Sequence, residues 1–408
     1  MNVPQLRFSG FCGEWEEQEL SELLEFKNGI NADKDSYGHG TKFINVLDIL
    51  NNDYILSENI IGSVNASEQQ LKTYSVTYGD ILFLRSSETR EDVGKCNVYL
   101  DEEKPAVFGG FVIRGKKIAD YSPFFLKAVL NNSSARNQIS SKAGGSTRYN
   151  VGQSILSEVT VRVPQIEEQQ KISSFFMLLN KKIEKQQEKI EKLQQFKTGM
   201  MRKVFSQELR FKDEAGVEFP VWIFASISQY IKVSGGYAFK SNKFVKTGIP
   251  IVRISNIDNR VHLNQGTVYY PETEAINEDF VVTKGSLLIA MSGATTGKTG
   301  IFVDSEVAYL NQRVGMFISK DNLYYPFIYQ LVESPAFKKQ LNSLLVTGAQ
   351  PNISSKQIES IQLHFPTYTE QRKIADYLLL VDSKIEREKE KLMVLEEQKK
   401  GFMWGMFV

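Results

Sequence analysis

Two stretches of the chain repeat apolar residues at alternating steps of three and four. The first runs through Phe176, Leu179, Ile183, Gln186, Ile190, Leu193, Lys197 and Met200. The second runs through Leu378, Val381, Ile385, Glu388, Leu392, Leu395, Lys399 and Phe402. Lys, Glu and Gln fill most of the positions between, and no proline interrupts either stretch. The spacing predicts two long helices whose coiled-coil seam is Phe176, Leu179, Ile183, Ile190, Leu193, Leu378, Val381, Ile385, Leu392 and Leu395. Pro164 and Pro366 stand just upstream, where a helix start tolerates proline. About 37 residues at 1.5 Å each make a rod of roughly 55 Å. Such a stripe suits a solvated helix lying on its own domain or two helices lying on each other. The remaining halves alternate short β-rich runs (81–84, 159–163, 361–365) with turn clusters and with helical segments at 124–130 and 325–332. They read as α/β or α+β, with no legible topology.

The two helical stretches are copies. Held at an offset of 202 without gaps, residues 168–205 and 370–407 are identical at 15 of 38 positions. That is too many for two unrelated helices sharing a heptad. Each copy opens on a matching run, Pro164–Ile172 and Pro366–Ile374. The preceding halves repeat more weakly. Leu6-Arg7-Phe8 with Trp15 echoes Leu209-Arg210-Phe211 with Trp222, Gly79-Asp80-Ile81-Leu82 echoes Gly285-Ser286-Leu287-Leu288, and Asn150-Val151 echoes Asn352-Ile353. The boundaries that follow are 1–165, 166–206, 207–367 and 368–408. Divergent halves on matched helices suggest two readers of different things on one frame. The repeat also predicts that the chain's start lies beside its end, because Val3–Phe8 is the equivalent of the segment that follows the first helix.

Composition narrows the class. The chain has 408 residues, 42% hydrophobic and 24% charged, as in an ordinary globular protein of two or three domains. No apolar run is long enough to span a membrane, and the first residues lack a signal peptide's apolar stretch. Two cysteines, Cys12 and Cys96, argue against a disulfide framework and fit a reducing cytoplasm. The three histidines are far apart, and no zinc-ligand spacing occurs.

The net charge of +1 hides local asymmetry. Acidic residues are absent from 121–157, 219–257 and 334–358, which carry Lys, Arg, Asn and Gln. Positive charge to neutralise phosphate, with Arg, Asn and Gln to read base edges, is what a DNA surface needs, although any one such window also suits a plain solvated face. The candidate DNA-contacting residues are Arg136, Lys142, Arg148, Lys240, Lys243, Lys246, Lys298, Gln350 and Asn352. Catalytic chemistry is missing by contrast. The Gly293–Thr299 segment has one residue too few for a phosphate loop, Gly38-His39-Gly40 lacks the third glycine of a dinucleotide fingerprint, and no nucleophile elbow or methylation motif is present. Trp15 and Trp222 read as core residues.

The tandem runs at Pro164–Ile172 and Pro366–Ile374, the Leu-Arg-Phe…Trp openings and Thr347-Gly348-Ala349-Gln350-Pro351-Asn352-Ile353 together resemble the specificity subunit of type I restriction–modification enzymes, over the whole chain. The resemblance implies tandem α/β (α+β) target-recognition domains, each reading one part of a split double-stranded DNA target. It also implies that the two long helices pack antiparallel, set the gap between the parts and dock two methyltransferase (modification) subunits. Those partners would bind S-adenosylmethionine and methylate adenine, and restriction subunits would join them to cleave DNA with ATP and Mg. This chain itself would be non-catalytic, with no cofactor and no metal, in a cytoplasmic bacterial defence complex. Residues 85–97 do not match the Ser292–Lys298 loop of the second half, and Gly144–Arg148 lacks the Gln and Pro of Gln350 and Pro351, so base-contact positions do not transfer between the halves. Two other readings compete: a coiled-coil adaptor binding only proteins, and a stand-alone DNA enzyme, which needs a carboxylate cluster or cofactor loop.

Overall fold

The computed structural model describes residues 3–31, 33–274, 276–345 and 352–407. The chain divides into two units: unit 1 is Met1–Gln186 with Lys391–Val408, and unit 2 is Gln187–Glu390. Two uninterrupted helices, Ile166–Phe205 and Tyr368–Met406, run for 40 and 39 residues. In unit 2 Lys189 pairs with Glu388 at 3.0 Å and Lys197 with Asp382 at 2.6 Å. Partner numbers fall as the first helix advances, so the two helices run antiparallel. Their apolar stripe is buried at Phe176, Ile183, Ile190, Leu378, Ile385 and Leu395 and half-buried at Leu179, Leu193, Val381 and Leu392.

Each unit has the same sheet. In unit 1 the strand order is Leu24–Asn28, Val112–Lys117, Ile81–Leu84, Cys96–Val98, all neighbours antiparallel. In unit 2 it is Ile231–Gly235, Val314–Ser319, Leu287–Ala290, Thr299–Phe302, with Arg260–Val261 added in parallel at one edge. Ile81–Leu84 and Leu287–Ala290 are buried at every position, which is why they read as continuous apolar runs rather than alternations. The ribbon strands Thr160–Val163 and Gln362–Phe365, paired with Glu16–Glu19 and Ile223–Ser226, bury one face and therefore do alternate. A second small sheet in each unit contains one parallel pair, Phe43 opposite Val107 and Ile251 opposite Tyr309.

The join between sheet body and long helix repeats atom by atom. Glu168 accepts two bonds from the Arg7 guanidinium, both at 2.7 Å. Glu370 accepts from Arg210 at 3.2 and 2.8 Å. Both carboxylates are almost wholly enclosed, and bidentate guanidinium bonding offsets the desolvation that burial costs them. The bond to Glu168 holds the Arg7 guanidinium above its ordinary value. Next in sequence, Gln169 accepts from the Ser122 N–H and donates to Pro164 O, as Gln371 does with Tyr324 and Pro366. Trp15 packs on Phe125 and Phe407, and Trp222 on Phe205. The two tryptophans differ in one respect: Trp222 Nε1 donates to Glu370 at 2.9 Å, whereas Trp15 Nε1 has no partner.

The expectation about the chain's start holds. The Leu6 N–H donates to Gly405 O at 2.8 Å within unit 1, and the Leu209 N–H donates to Lys203 O at 3.0 Å within unit 2. A backbone bond in unit 1 thus stands where the covalent chain runs on in unit 2.

Candidate nucleic-acid interface

Strand Ile81–Leu84 leaves the unit 1 sheet through residues 85–95 and returns as Cys96–Val98; strand Leu287–Ala290 leaves the unit 2 sheet through 291–298 and returns as Thr299–Phe302. The same bonds close both connections. Leu84 N–H donates to Lys95 O and Gly94 N–H to Leu84 O, at 2.8 and 2.7 Å; Ala290 N–H donates to Lys298 O and Gly297 N–H to Ala290 O, at 2.9 and 2.8 Å. Gly94 and Gly297 both adopt positive φ, 70° and 85°, a conformation a side chain disfavours. On the other flank Val151 N–H donates to Arg85 O at 3.0 Å, and Ile353 N–H to Met291 O at 2.9 Å. Asn150 pairs with Ser86 and Asn352 with Ser292. The connections 85–95 and 291–298 are therefore one structural position, three residues longer in unit 1. Sequence comparison misses this because the insertion separates the anchors. The Gly-Lys pairs at Gly94-Lys95 and Gly297-Lys298, each just before a strand, were the signal that could have found it.

The side chains on this shared position differ. The unit 1 loop carries Glu88, Glu91 and Asp92. Lys95 pairs with Asp92 at 2.5 Å and Arg148 lies 3.9 Å from Glu88. The Lys95 bond holds the Asp92 carboxyl below the usual carboxylate range. Arg90 stacks 5.0 Å from the Tyr149 ring centre. The unit 2 loop has no acid. Thr296 donates to Gly293 O at 2.6 Å and Thr295 to Ile254 O at 3.3 Å, which fixes the loop from within. Lys298 and Asn352 are exposed, and among the described residues Lys298 forms no ion pair.

The other candidates sort by what holds them. Arg136, on helix Ser133–Lys142, donates to Glu91 O at 2.9 Å and Val93 O at 2.6 Å. Its guanidinium is held below its ordinary value by burial. Here it is an anchor of the 85–95 loop, with Nη2 bonded to two backbone carbonyls and Nη1 buried, rather than presented to a phosphate. Lys142 pairs with Glu158 at 2.9 Å and Lys243 with Glu274 at 2.6 Å. Both pairs are exposed, and each lysine's charge is already met by a carboxylate. Lys240 and Lys246 are exposed and, among the described residues, in no ion pair. Lys240 directly follows Phe239, which packs on Tyr270 and Tyr309. Gln350 lies outside the described residues. Among the described residues no group of three or more His, Cys, Asp and Glu side chains is placed to hold a metal, and no helix is long and apolar enough to cross a membrane. Chemically, the arrangement presents short polar and cationic side chains on rigid strand ends, which suits recognition.

Two α/β units of one design, each built onto antiparallel long helices, define a class of protein with two recognition modules in one chain. The family model for the type I restriction modification DNA specificity domain matches residues 13–195 and again 222–397, and the chain belongs to this family. It is 24% identical over 411 residues to the putative type I restriction enzyme MjaX specificity subunit of Methanocaldococcus jannaschii, covering 96% of this chain and 92% of that one. It is 27% identical over 282 residues to the type I restriction enzyme MjaVIII specificity subunit of the same organism. That second match spans 65% of this chain and 65% of the relative. Among solved structures, the S subunit of a type I restriction–modification system from M. genitalium shares the fold with a TM-score of 0.59 at 16% identity, covering 100% of this chain and 99% of that one. A chain from a structural study of complex assembly and conformational transition in the type I R-M system gives a TM-score of 0.58 at 13% identity, covering 95% and 96%.

Proposed function

We propose that this chain is the DNA-reading, non-catalytic subunit of a type I restriction–modification assembly. Each unit reads one part of a split double-stranded target. The long helices set the gap between the parts and dock two methyltransferase subunits, which bind S-adenosylmethionine and methylate adenine. Restriction subunits join them and cleave with ATP and Mg. The observation that carries this reading is the shared connection: identical backbone bonds hold 85–95 and 291–298, while the first carries Arg85, Arg90, Glu88, Glu91 and Asp92 and the second carries no arginine and no acid. A frame kept constant under changed side chains is how two modules read two sequences with one architecture.

The test is binding of the full chain, assembled with its methyltransferase, to a DNA library. The expected outcome is enrichment of a two-part motif, with affinity falling steeply between about 50 and 200 mM salt as phosphate contacts release counterions. Salt-insensitive assembly with protein partners and no enriched DNA would instead mark a protein-only adaptor.

A further inference from the structure

Unit 1 contains a cavity of about 300 Å³ whose lining includes Lys95, Lys127, Lys399 and Asn180, with Phe124 and Phe176 as apolar walls. No acidic side chain lines it. Unit 2 shows what the same frame holds elsewhere. The offset of 202 carries Asn180 onto Asp382, Lys399 onto Lys197, Asn131 onto Glu333 and Lys127 onto Tyr329. In unit 2 the Asp382 carboxylate pairs with Lys197 at 2.6 Å and accepts from Gln330 at 3.1 Å. Unit 1 has exchanged both carboxylates for amides and gained a lysine.

The exchange leaves unsatisfied groups. Asn180 is 8% exposed, and its Oδ1 has no partner. Lys399 is half-buried and, among the described residues, forms no ion pair. Lys127 donates to Asp53 O at 2.6 Å. Burial, and then the neighbouring Lys399 charge, hold its ammonium below the ordinary lysine value. The Asp53 charge opposes this, and an anion between the Lys127 and Lys399 ammonium groups offsets their mutual repulsion.

We propose that this cavity binds a small organic oxyanion, a phosphate or carboxylate held by Lys399, Lys127 and the Asn180 amide, with its body against Phe124 and Phe176. The volume falls at the lower end of the range for small-molecule pockets, about 300–1,000 Å³. The apolar walls favour an organic body over a bare ion.

The test is calorimetry on the full-length chain with benzoate and with phenyl phosphate at matched ionic strength in chloride. The two share a ring and differ in head group, so they separate the carboxylate from the phosphate. The expected result is that one of them binds with Kd below about 1 mM. Asn180→Asp, which restores the carboxylate found at Asp382, weakens it at least tenfold, and Lys399→Met does the same. Asp382→Asn in unit 2 leaves binding unchanged. Thermal unfolding of each variant shows that it is folded, and Lys399→Met carries the test if Asn180→Asp is not. Binding of neither anion, or equal binding by wild type and a folded variant, would overturn the proposal. So would loss of methyltransferase assembly in Asn180→Asp with no anion bound by either protein, which would assign the site to a partner protein's carboxylate.

Discussion

The connections 85–95 and 291–298 leave equivalent strands through equivalent backbone bonds, yet the first carries three acids with paired cations and the second carries none. The two units thus separate what holds a recognition module together from what it presents. Holding is done by buried groups that recur: the Arg–Glu pair, the glutamine that ties sheet to helix, the aromatic cluster under each tryptophan. Presentation is left to exposed side chains, most of which do not recur. The difference also bears on electrostatics. Lys298 faces solvent uncompensated, whereas Arg148 sits near Glu88 and must turn from it to meet a phosphate.

The comparison is broken most violently at its shared base. Glu370→Ala should destabilise unit 2 by about 3–5 kcal/mol by stranding Arg210 and the Trp222 N–H. Glu168→Ala should cost unit 1 less, because Trp15 makes no such bond. Denaturant midpoints of the two variants give the order, and an equal loss contradicts the difference described here. Next in size is the tryptophan itself. Trp222→Phe removes a hydrogen bond to a charged group, worth about 1.5–3 kcal/mol, beyond the packing change that Trp15→Phe also makes. The excess should appear as a lower unfolding temperature for Trp222→Phe.

Smaller effects concern the loops. Lys298→Ala should reduce the slope of log affinity against log salt by about 1, the value of one lost phosphate contact. Lys243→Ala should change it less, because Glu274 already neutralises Lys243. Salt titrations of DNA binding rank the two, and the reverse order would sink the idea that uncompensated lysines make the phosphate contacts. The smallest change is chemical. Burial pushes the Cys96 thiol up to about 12, so at pH 8 it stays protonated and inert, while Cys12 is exposed. Thiol titration of the folded chain at pH 8 should find one reactive cysteine, and two only after unfolding.

Much of this was legible along the chain. The long helices were, because a period near 3.5 over five turns has no other interpretation, and the repeat was, because identities recur at exposed positions such as Lys182 and Lys384 as well as at buried ones such as Ile183 and Ile385. The ribbons at Thr160–Val163 and Gln362–Phe365 declared themselves by alternation. The sheet order was not legible, since short strands such as Val107–Phe108 pair with partners far upstream and each is too brief to carry a pattern. The site was half legible. Acid-free windows in sequence are not acid-free surfaces in space: Lys142 and Lys243 meet Glu158 and Glu274 from outside their windows. Arg136 is captured by carbonyls of a loop some forty residues upstream. Matching Lys95 with Lys298 required the fold, because the three-residue insertion hides it.

The central claim is that two modules on one frame read two parts of one DNA target. The most direct measurement is a genome-wide map of adenine methylation in cells carrying this chain with its methyltransferase, against cells with the chain deleted and cells carrying residues 291–298 replaced by 85–95. The account predicts a split motif that vanishes on deletion and that changes in one half only on replacement. Methylation unchanged by deletion, with the methyltransferase expressed and active, or altered in both halves by the single replacement, would contradict it.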